Sequence, residues 1–218
     1  MSYINQNKRQ PAILIVEATL ANEVQIRNLN RALECMQKES EYPQLDIGIV
    51  EFNGEYAGLL QEFSMLQDVK LMNVPAAAED AAGEDLCEDA CDSLAGMMLG
   101  LQALRAKLEA YDEEGIEYYP PVAFLIADEK TLLAVDSACS RPVNPAALMA
   151  FASDFVDVEC PRLHVFSSKE ADGGVLPYWL EWPLTAALPA SFKNVDVDEE
   201  DMHWMNIQAF YAVRSAEE

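Results

Sequence analysis

The stretch PAILIVEATLAN, residues Pro11–Asn22, decides the fold of this 218-residue chain. It opens with an apolar run rich in β-branched residues, Ala12 to Val16, and a helical pattern follows it. A short apolar run of this kind is typical of a buried parallel strand that leads into a helix. In open α/β sheets, ligands bind just beyond the carboxyl ends of such strands. The polar residues at that point, Glu17 and Thr19, are therefore the first candidates for a site.

The composition is that of a globular and strongly acidic protein. Apolar residues make up 51% of the chain, charged residues 24%, and the formal net charge is -24. This excess of carboxylates repels phosphate groups, so we expect neither nucleic acid nor a membrane surface as a partner. The negative charge favours a soluble protein. Its role is either solubility alone or, in addition, the attraction of a partner with a basic surface.

Cysteine usage and the absence of targeting signals bear on the compartment. The five cysteines are dispersed without a zinc-binding spacing, and the two histidines are isolated. We interpret the cysteines as free, mostly buried thiols in a reducing compartment. Residues 1–10 are a polar arm without a signal-peptide core, and no apolar run reaches the roughly 18 residues of a membrane span. These features predict a cytoplasmic protein.

Strands and helices alternate along the rest of the chain. Beyond the first strand, strands are predicted at Gln44–Asn53, about Ala57–Phe63, Val122–Ile126, Arg162–Phe166 and Phe192–Val197. The dipeptide Asn53-Gly54 predicts a hairpin, so the third strand is antiparallel to the second. The order predicts an α/β fold with a doubly wound, mostly parallel six-stranded sheet, one antiparallel edge strand and helices on both faces. We expect one domain, residues 11–215.

Two predicted helices flank the first strands. The first begins at about Asn22, a plausible N-cap, and Val24, Leu29 and Met36 contribute to its apolar stripe. The second is capped by Asp85 or Asp89 and runs to about Tyr111, and Gly96 and Gly100 on it indicate close packing. Residues 64–85 between them form a long connection that is either functional or partly mobile. The roles of this loop and of the aromatic segment PYWLEWP stay open.

Two carboxylates follow apolar strands at the same predicted edge of the sheet, Glu17 and Asp128. The segments PAILIVEATLANEVQIRNLNRALECM, LDIGIVEFNGEYAGLLQEF and PVAFLIADE come in an order and spacing that resemble the von Willebrand factor A (vWA) domain family. In particular, the chain resembles small bacterial stand-alone members of the tellurium-resistance-associated kind. The resemblance covers about residues 10–215. It implies the vWA fold and a role in binding other proteins.

The family commonly carries a metal-ion-dependent adhesion site, in which carboxylate and hydroxyl oxygens hold Mg²⁺ and an open position takes a partner's carboxylate. Measured against that pattern, Glu17 stands in place of Asp, Thr19 in place of the first Ser, and Ala21 in place of the second Ser. Asp128 is kept, but Glu129 replaces the Gly that follows it. Ser93 falls where the loop Thr of the family would be.

These departures leave two hypotheses for the site. In the leading one the adhesion site is degenerate and metal-free, and the protein is a non-catalytic interaction module whose binding face includes Glu17, Thr19, Asp128 and Glu129. In the alternative, Glu17, Thr19, Ser93 and Asp128 form a divergent Mg²⁺ site, whose near-octahedral geometry would have to absorb an extra methylene and a lost hydroxyl. A hydrolase would need a nucleophile beside His164 or His203, and no nucleophile-elbow motif is present. The partner's identity and the oligomeric state cannot be predicted from one sequence.

Overall fold

The computed structural model describes residues 8–38, 44–53, 56–75, 91–128, 162–168 and 190–195. The strands in these ranges are β1 (Gln10–Glu17), β2 (Leu45–Phe52), β3 (Ala57–Met65), β4 (Val122–Asp128), β5 (Arg162–Ser168) and β6 (Ala190–Val195). The helices are α1 (Glu23–Lys38) and α2 (Cys91–Glu114). The caps predicted at Asp85 or Asp89 and the segment PYWLEWP lie outside the described residues.

The strands form one mixed sheet with β1 at its centre. Their order is β3-β2-β1-β4-β5-β6, and every neighbouring pair is parallel except β2 and β3. The turn between β2 and β3 is closed where the Asn53 amide donates to the Tyr56 carbonyl oxygen at 2.9 Å. The structure thus confirms the predicted α/β sheet and its antiparallel edge strand, which extends two residues beyond the predicted Phe63, to Met65.

Side chains of β1 alternate between two apolar cores, one on each face of the sheet. Leu14 and Val16 pack with Ile26 and Leu29 of α1 on one face. Ile13 and Ile15 pack with α2 on the other face, together with Val50 and Phe52 of β2. This alternation follows from the two-residue period of a strand. The sequence of a central strand that is buried on both faces is therefore one continuous apolar run.

Helix α1 buries its predicted apolar stripe except for Val24. Ile26, Leu29, Leu33 and Met36 are buried, whereas Val24 is 47% exposed. The reason is the helical period, because Val24 lies two positions before Ile26 and thus on nearly the opposite side of the helix. The assignment of Val24 to the apolar stripe was therefore wrong.

The connection after β3 packs against α1 in its first part. Leu66, Val69 and Met72 are buried in the α1 core. Asn30 of α1 accepts a hydrogen bond from the Met72 amide at 2.9 Å and donates one to the Met72 carbonyl oxygen at 2.8 Å. Residues 66–75 are thus held on the helix, while residues 76–85 of the predicted loop are outside the described ranges.

The two glycines predicted to mark close packing lie where α2 crosses the sheet. A Cβ on Gly96 would stand 2.8 Å from the Phe52 ring, and one on Gly100 would stand 2.5 Å from Cδ1 of Ile15. Distances under about 3 Å leave no room for a methyl group. The prediction is confirmed, since glycine at these positions lets the helix approach β1 and β2.

A buried carboxylate ties the amino end of β2 to α2 and to the residue before β1. Asp46 is 5% exposed and accepts a hydrogen bond from the Tyr111 hydroxyl. Its two oxygens also lie 3.6 Å from the Arg9 guanidinium and 3.6 Å from the Lys107 ammonium. Burial, and secondly the hydrogen bond to Asp46, raise the pKa of the Tyr111 hydroxyl well above its usual range.

The sequence also led to expectations about membrane spans and cysteine burial. In the described part of the chain, neither helix is both long enough and apolar enough to cross a membrane. The thiol of Cys35 is free, as expected, but it is exposed on α1, so this cysteine departs from the predicted burial.

Candidate functional site

The strand-end carboxylate Glu17 is buried and engaged within the protein. It is the last residue of β1 and is 1% exposed. The Thr19 hydroxyl donates a hydrogen bond to its Oε1 at 2.7 Å. Ala18 between them is held to the neighbouring strand, since its amide donates to the Phe52 carbonyl oxygen at 2.7 Å. Glu17 and Thr19, which were predicted to belong to one site, are thus in direct contact.

Asn22 holds the same corner together from the helix side. Its side-chain amide donates to the Glu17 carbonyl oxygen at 2.8 Å and to the Ile126 carbonyl oxygen at 3.4 Å. It therefore joins the carboxyl ends of β1 and β4. The predicted N-cap role of Asn22 is wrong, because a capping side chain accepts from helix amides, whereas this one donates to strand carbonyls. A short helical turn, Leu20–Asn22, precedes α1 and turns the side chain back toward the sheet.

Two other predicted site residues, Asp128 and Ser93, lie in β4 and α2. Asp128 is the last residue of β4, and the pairing of Val16 with Ile126 places it at the same edge of the sheet as Glu17. Ser93 lies in the first turn of α2. The side chains of these two residues, and the whole of Glu129, are outside the described part of the structure. So are the side chain of His164 and all of His203, on which the hydrolase alternative depends.

Of the four side chains predicted to hold Mg²⁺, the structure describes Glu17 and Thr19, which supply two carboxylate oxygens and one hydroxyl. A Mg²⁺ site needs several oxygens directed at one point with near-octahedral geometry. Here the Thr19 hydroxyl proton is donated to Glu17, so the two side chains satisfy one another. Position 21 is an alanine and offers no side-chain oxygen. Among the side chains that the structure describes, no three carboxylate, imidazole or thiol groups come together as a metal-binding cluster.

The surface beside Glu17 is apolar where it faces outward. Leu20 is 45% exposed and Val24 is 47% exposed, one helical turn apart. Glu23 and Arg27 flank them and form a salt bridge at 2.6 Å. We call Leu20, Val24, Glu23 and Arg27 the α1 shoulder. It was missed at the sequence level because Val24 was assigned to the core.

The contact between Thr19 and Glu17 gives a testable expectation. Replacing Thr19 by valine removes the hydroxyl that a buried carboxylate accepts from, and should lower the free energy of unfolding by about 2 kcal/mol. Thr19→Ser keeps the hydroxyl and should stay within about 0.5 kcal/mol of the wild-type value. Urea denaturation of both variants measures the difference. If Thr19→Val is as stable as Thr19→Ser, the hydrogen bond does not contribute to the free energy of unfolding.

Comparisons with known proteins bear on the fold. Neither a protein-family model nor a curated protein sequence matches the chain. The pilus adhesin SpaC from Lactobacillus rhamnosus GG, in its open conformation, matches with a TM-score of 0.54 at 10% identity over 97% of this chain. Another form of SpaC gives a TM-score of 0.56 at 12% identity over 97% of this chain. This chain spans 31% of the adhesin's length, so the likeness shows a shared fold for that part alone.

A smaller structure matches over nearly all of its length. The SpRpn10 VWA domain is similar over 92% of this chain and 95% of its own, with 12% identity. Its TM-score is 0.46, a likeness too low to show a shared fold.

Proposed function

We propose that this chain is a non-catalytic protein-interaction module of the vWA type, a six-stranded, doubly wound domain over residues 11–215, which acts in the cytoplasm. Its partner binds at the carboxyl edge of the sheet, next to Glu17, and no metal ion takes part. The observation that carries the proposal is the burial of Glu17, which is 1% exposed and accepts the Thr19 hydroxyl. Burial and a hydrogen bond within the chain support a structural role for this carboxylate over a role as a cation ligand.

The α1 shoulder supplies the contact surface in this proposal. Two neighbouring apolar side chains that are nearly half exposed, with a charged pair at their rim, have the composition of a protein-binding patch. In this proposal Asp128, the last residue of β4, belongs to the same face, and so does Glu129, which follows it in the sequence. The net charge of -24 favours a partner with a basic surface.

A divalent-metal-dependent module is the second candidate. It is favoured by the placement of Asp128 and Glu17 at one edge, which keeps two carboxylate positions of the adhesion-site pattern. In that case Glu17 would have to release Thr19, and the partner would present a carboxylate to the ion. The two candidates therefore differ in what a chelator does to partner binding.

Site-directed crosslinking in a lysate of the source organism tests the proposal. A photo-crosslinking amino acid placed at Leu20 should capture a discrete partner protein, and the yield should not change when EDTA is added to the lysate before irradiation. The same group at Gln102, which is exposed on α2 on the other face of the sheet, is the matched control. Loss of the product in EDTA would favour the metal-dependent candidate, and an identical product from Gln102 would remove the carboxyl edge as the binding face.

A further inference from the structure

The sheet ends laterally at β3, whose outer side no strand covers in the part of the chain that the structure describes. β3 comes first in the order β3-β2-β1-β4-β5-β6, and it pairs with β2. A strand in this position presents a row of unpaired amide and carbonyl groups, which are a template for one more strand. The function proposed above makes no use of this lateral edge, which lies two strands away from β1.

The first residues of β3 direct backbone groups away from the sheet. The Asn53 amide donates to the Tyr56 carbonyl oxygen at 2.9 Å, so these two residues form a hydrogen-bonded pair. Hydrogen-bonded and non-hydrogen-bonded pairs alternate along an antiparallel ladder. The pairs that follow join residues 57–59 to residues 52–50 in regular register. The amide and carbonyl groups of Ala57 and Leu59 therefore point outward, and they can bond only to a segment that lies alongside β3.

Exposed apolar side chains accompany this backbone. Leu59 is 41% exposed and Leu60 is 43% exposed. Besides the α1 shoulder, the exposed large apolar side chains of the described ranges all lie on β3 or next to it in sequence: Tyr56, Leu59, Leu60, Met65 and Leu71. Such a concentration of exposed apolar groups is typical of a binding surface.

β3 has little of the protection that edge strands usually carry. Lys and Pro residues commonly block the addition of a further strand, and β3 contains neither. It does contain a β-bulge, because Leu60 is passed over between the pairs Val50–Leu59 and Ile49–Gln61. A bulge interrupts regular pairing. The segment open to an added strand is therefore short and centred on Ala57 to Leu59.

The charges near this edge favour a basic partner over a second copy of the chain. Glu62 is the charged residue of β3 and is exposed, and Asp68 is exposed on the connection that follows. Glu51 lies opposite Gly58 on β2, and Lys70 is the cation among residues 56–75. A second copy would bring the same net charge of -24 to the edge, so the two chains would repel one another. A basic segment has the complementary charge.

We propose that the outer edge of β3 binds an extended, basic segment of another protein as a seventh strand of the sheet. In strand addition the main chain supplies the hydrogen bonds, and alternate side chains of the added segment supply the specificity. The amide and carbonyl groups of Ala57 and Leu59 would pair with the added segment. Its apolar side chains would contact Leu59 and Leu60, and its basic side chains would face Glu62. This interface does not depend on the carboxyl edge around Glu17.

The test uses the full chain and three synthetic peptides. The first is acetyl-Lys-Val-Lys-Val-Lys-Val-Lys-amide. The second has methyl groups on the amide nitrogens of its three central residues, so that neither side of the peptide can pair, and the third has glutamate in place of each lysine. In NMR titrations the first peptide should bind saturably. The other two should bind at least about tenfold more weakly, because one loses hydrogen bonds and the other is repelled.

Amide hydrogen exchange identifies the surface that the lysine peptide covers. With excess peptide, the amides of Ala57 and Leu59 should exchange at least about threefold more slowly, whereas the Gly58 amide, which faces β2, should change little. Equal binding of the methylated peptide, no saturable binding, or no slowing at Ala57 and Leu59 would overturn the proposal. Protection of these amides that rises with protein concentration in the absence of peptide would also overturn it, since it would assign the edge to a second copy.

Matched charge variants separate the β3 edge from the general acidity of the chain. Leu59→Lys with Leu60→Lys removes apolar contacts and adds two positive charges at the edge, so the lysine peptide should bind at least about tenfold more weakly. Cys35→Lys with Gln102→Lys adds the same charge at exposed positions on α1 and α2, and the affinity should stay within about twofold. Circular dichroism checks that both variants are folded. Equal losses in the two variants would show long-range attraction alone and would contradict strand addition at β3.

Discussion

Replacing Asp46 by alanine is expected to lower the free energy of unfolding by about 3 kcal/mol. The substitution removes the acceptor of the buried Tyr111 hydroxyl and the negative charge that Arg9 and Lys107 approach at 3.6 Å. A buried hydroxyl without an acceptor costs about 1–3 kcal/mol by itself. The remainder comes from two cations left together, reduced because their side chains are 30% and 24% exposed. Chemical denaturation monitored by circular dichroism measures the change.

Two further variants show whether the effect belongs to this cluster. Tyr111→Phe should cost about 1–2 kcal/mol, and less when Asp46 has already been replaced, because the two side chains share one hydrogen bond. Asp68→Ala changes an exposed carboxylate on the connection after β3 and should stay within about 0.5 kcal/mol of wild type. If Asp46→Ala is no more costly than Asp68→Ala, the cluster does not stabilise the fold.

The same cluster should make stability depend on alkaline pH. The pKa of Tyr111 is raised in the folded protein, so the unfolded chain loses this proton first, near pH 10. Stabilisation through Tyr111 is then complete below about pH 10 and falls as the pH rises above it, by up to about 1.4 kcal/mol per pH unit. Other tyrosines and the lysines titrate in both proteins, so the difference between wild type and Tyr111→Phe isolates this component. That difference should shrink as the pH rises.

Replacing Gly100 by valine is expected to lower the free energy of unfolding by about 3 kcal/mol. The first carbon of the new side chain would stand 2.5 Å from Cδ1 and 2.6 Å from Cγ1 of Ile15. Ile15 is fully buried between α2 and the sheet, so it cannot move into solvent. Either the helix lifts from β1 or Ile15 leaves its rotamer, and both disrupt the core. Thermal and urea unfolding of the variant measure the loss.

A matched glycine and a compensating change test this explanation. Gly58→Val puts the same side chain on β3, where a Cβ would meet the Tyr56 ring at 3.6 Å, so its cost should be under about 1 kcal/mol. Combining Gly100→Val with Ile15→Ala should cost less than the sum of the two single changes, because the alanine vacates the contested volume. Strict additivity would show that the close approach of α2 to Ile15 is not the cause.

Much of the sheet was predictable because strand burial leaves a simple pattern. A continuous apolar run such as Ala12 to Val16 is typical of a strand covered on both faces, and Asn53-Gly54 indicates the antiparallel pairing of β2 with β3. Val24 was misassigned because it is apolar, although it lies on nearly the opposite side of α1 from Ile26. The contacts of Asn30 with Met72 span 42 residues, and those of Asp46 with Tyr111 span 65, so no local pattern reveals them.

The sequence predicted where Glu17 lies in the fold, but it did not predict that the side chain is buried and hydrogen-bonded. A carboxylate after an apolar strand places Glu17 at the sheet edge, but its burial depends on Thr19 and on Asn22, which reaches across to β4. Asparagine after a strand fits both a helix cap and a bond to strand carbonyls, and the sequence does not distinguish these roles. The α1 shoulder was identified only when the structure showed that Leu20 and Val24 are exposed.

Titration of chelator-treated protein with Mg²⁺ and Mn²⁺, by calorimetry and thermal unfolding, tests the metal-free carboxyl edge most directly. A variant that combines Glu17→Asp with Ala21→Ser introduces the adhesion-site residues at two positions and serves as the comparison. Because an ion that binds the folded state raises its stability, we predict no saturable heat and no rise in melting temperature for the wild type at millimolar ion. Saturable heat with a higher melting temperature in the wild type, lost in Asp128→Ala, would contradict the account.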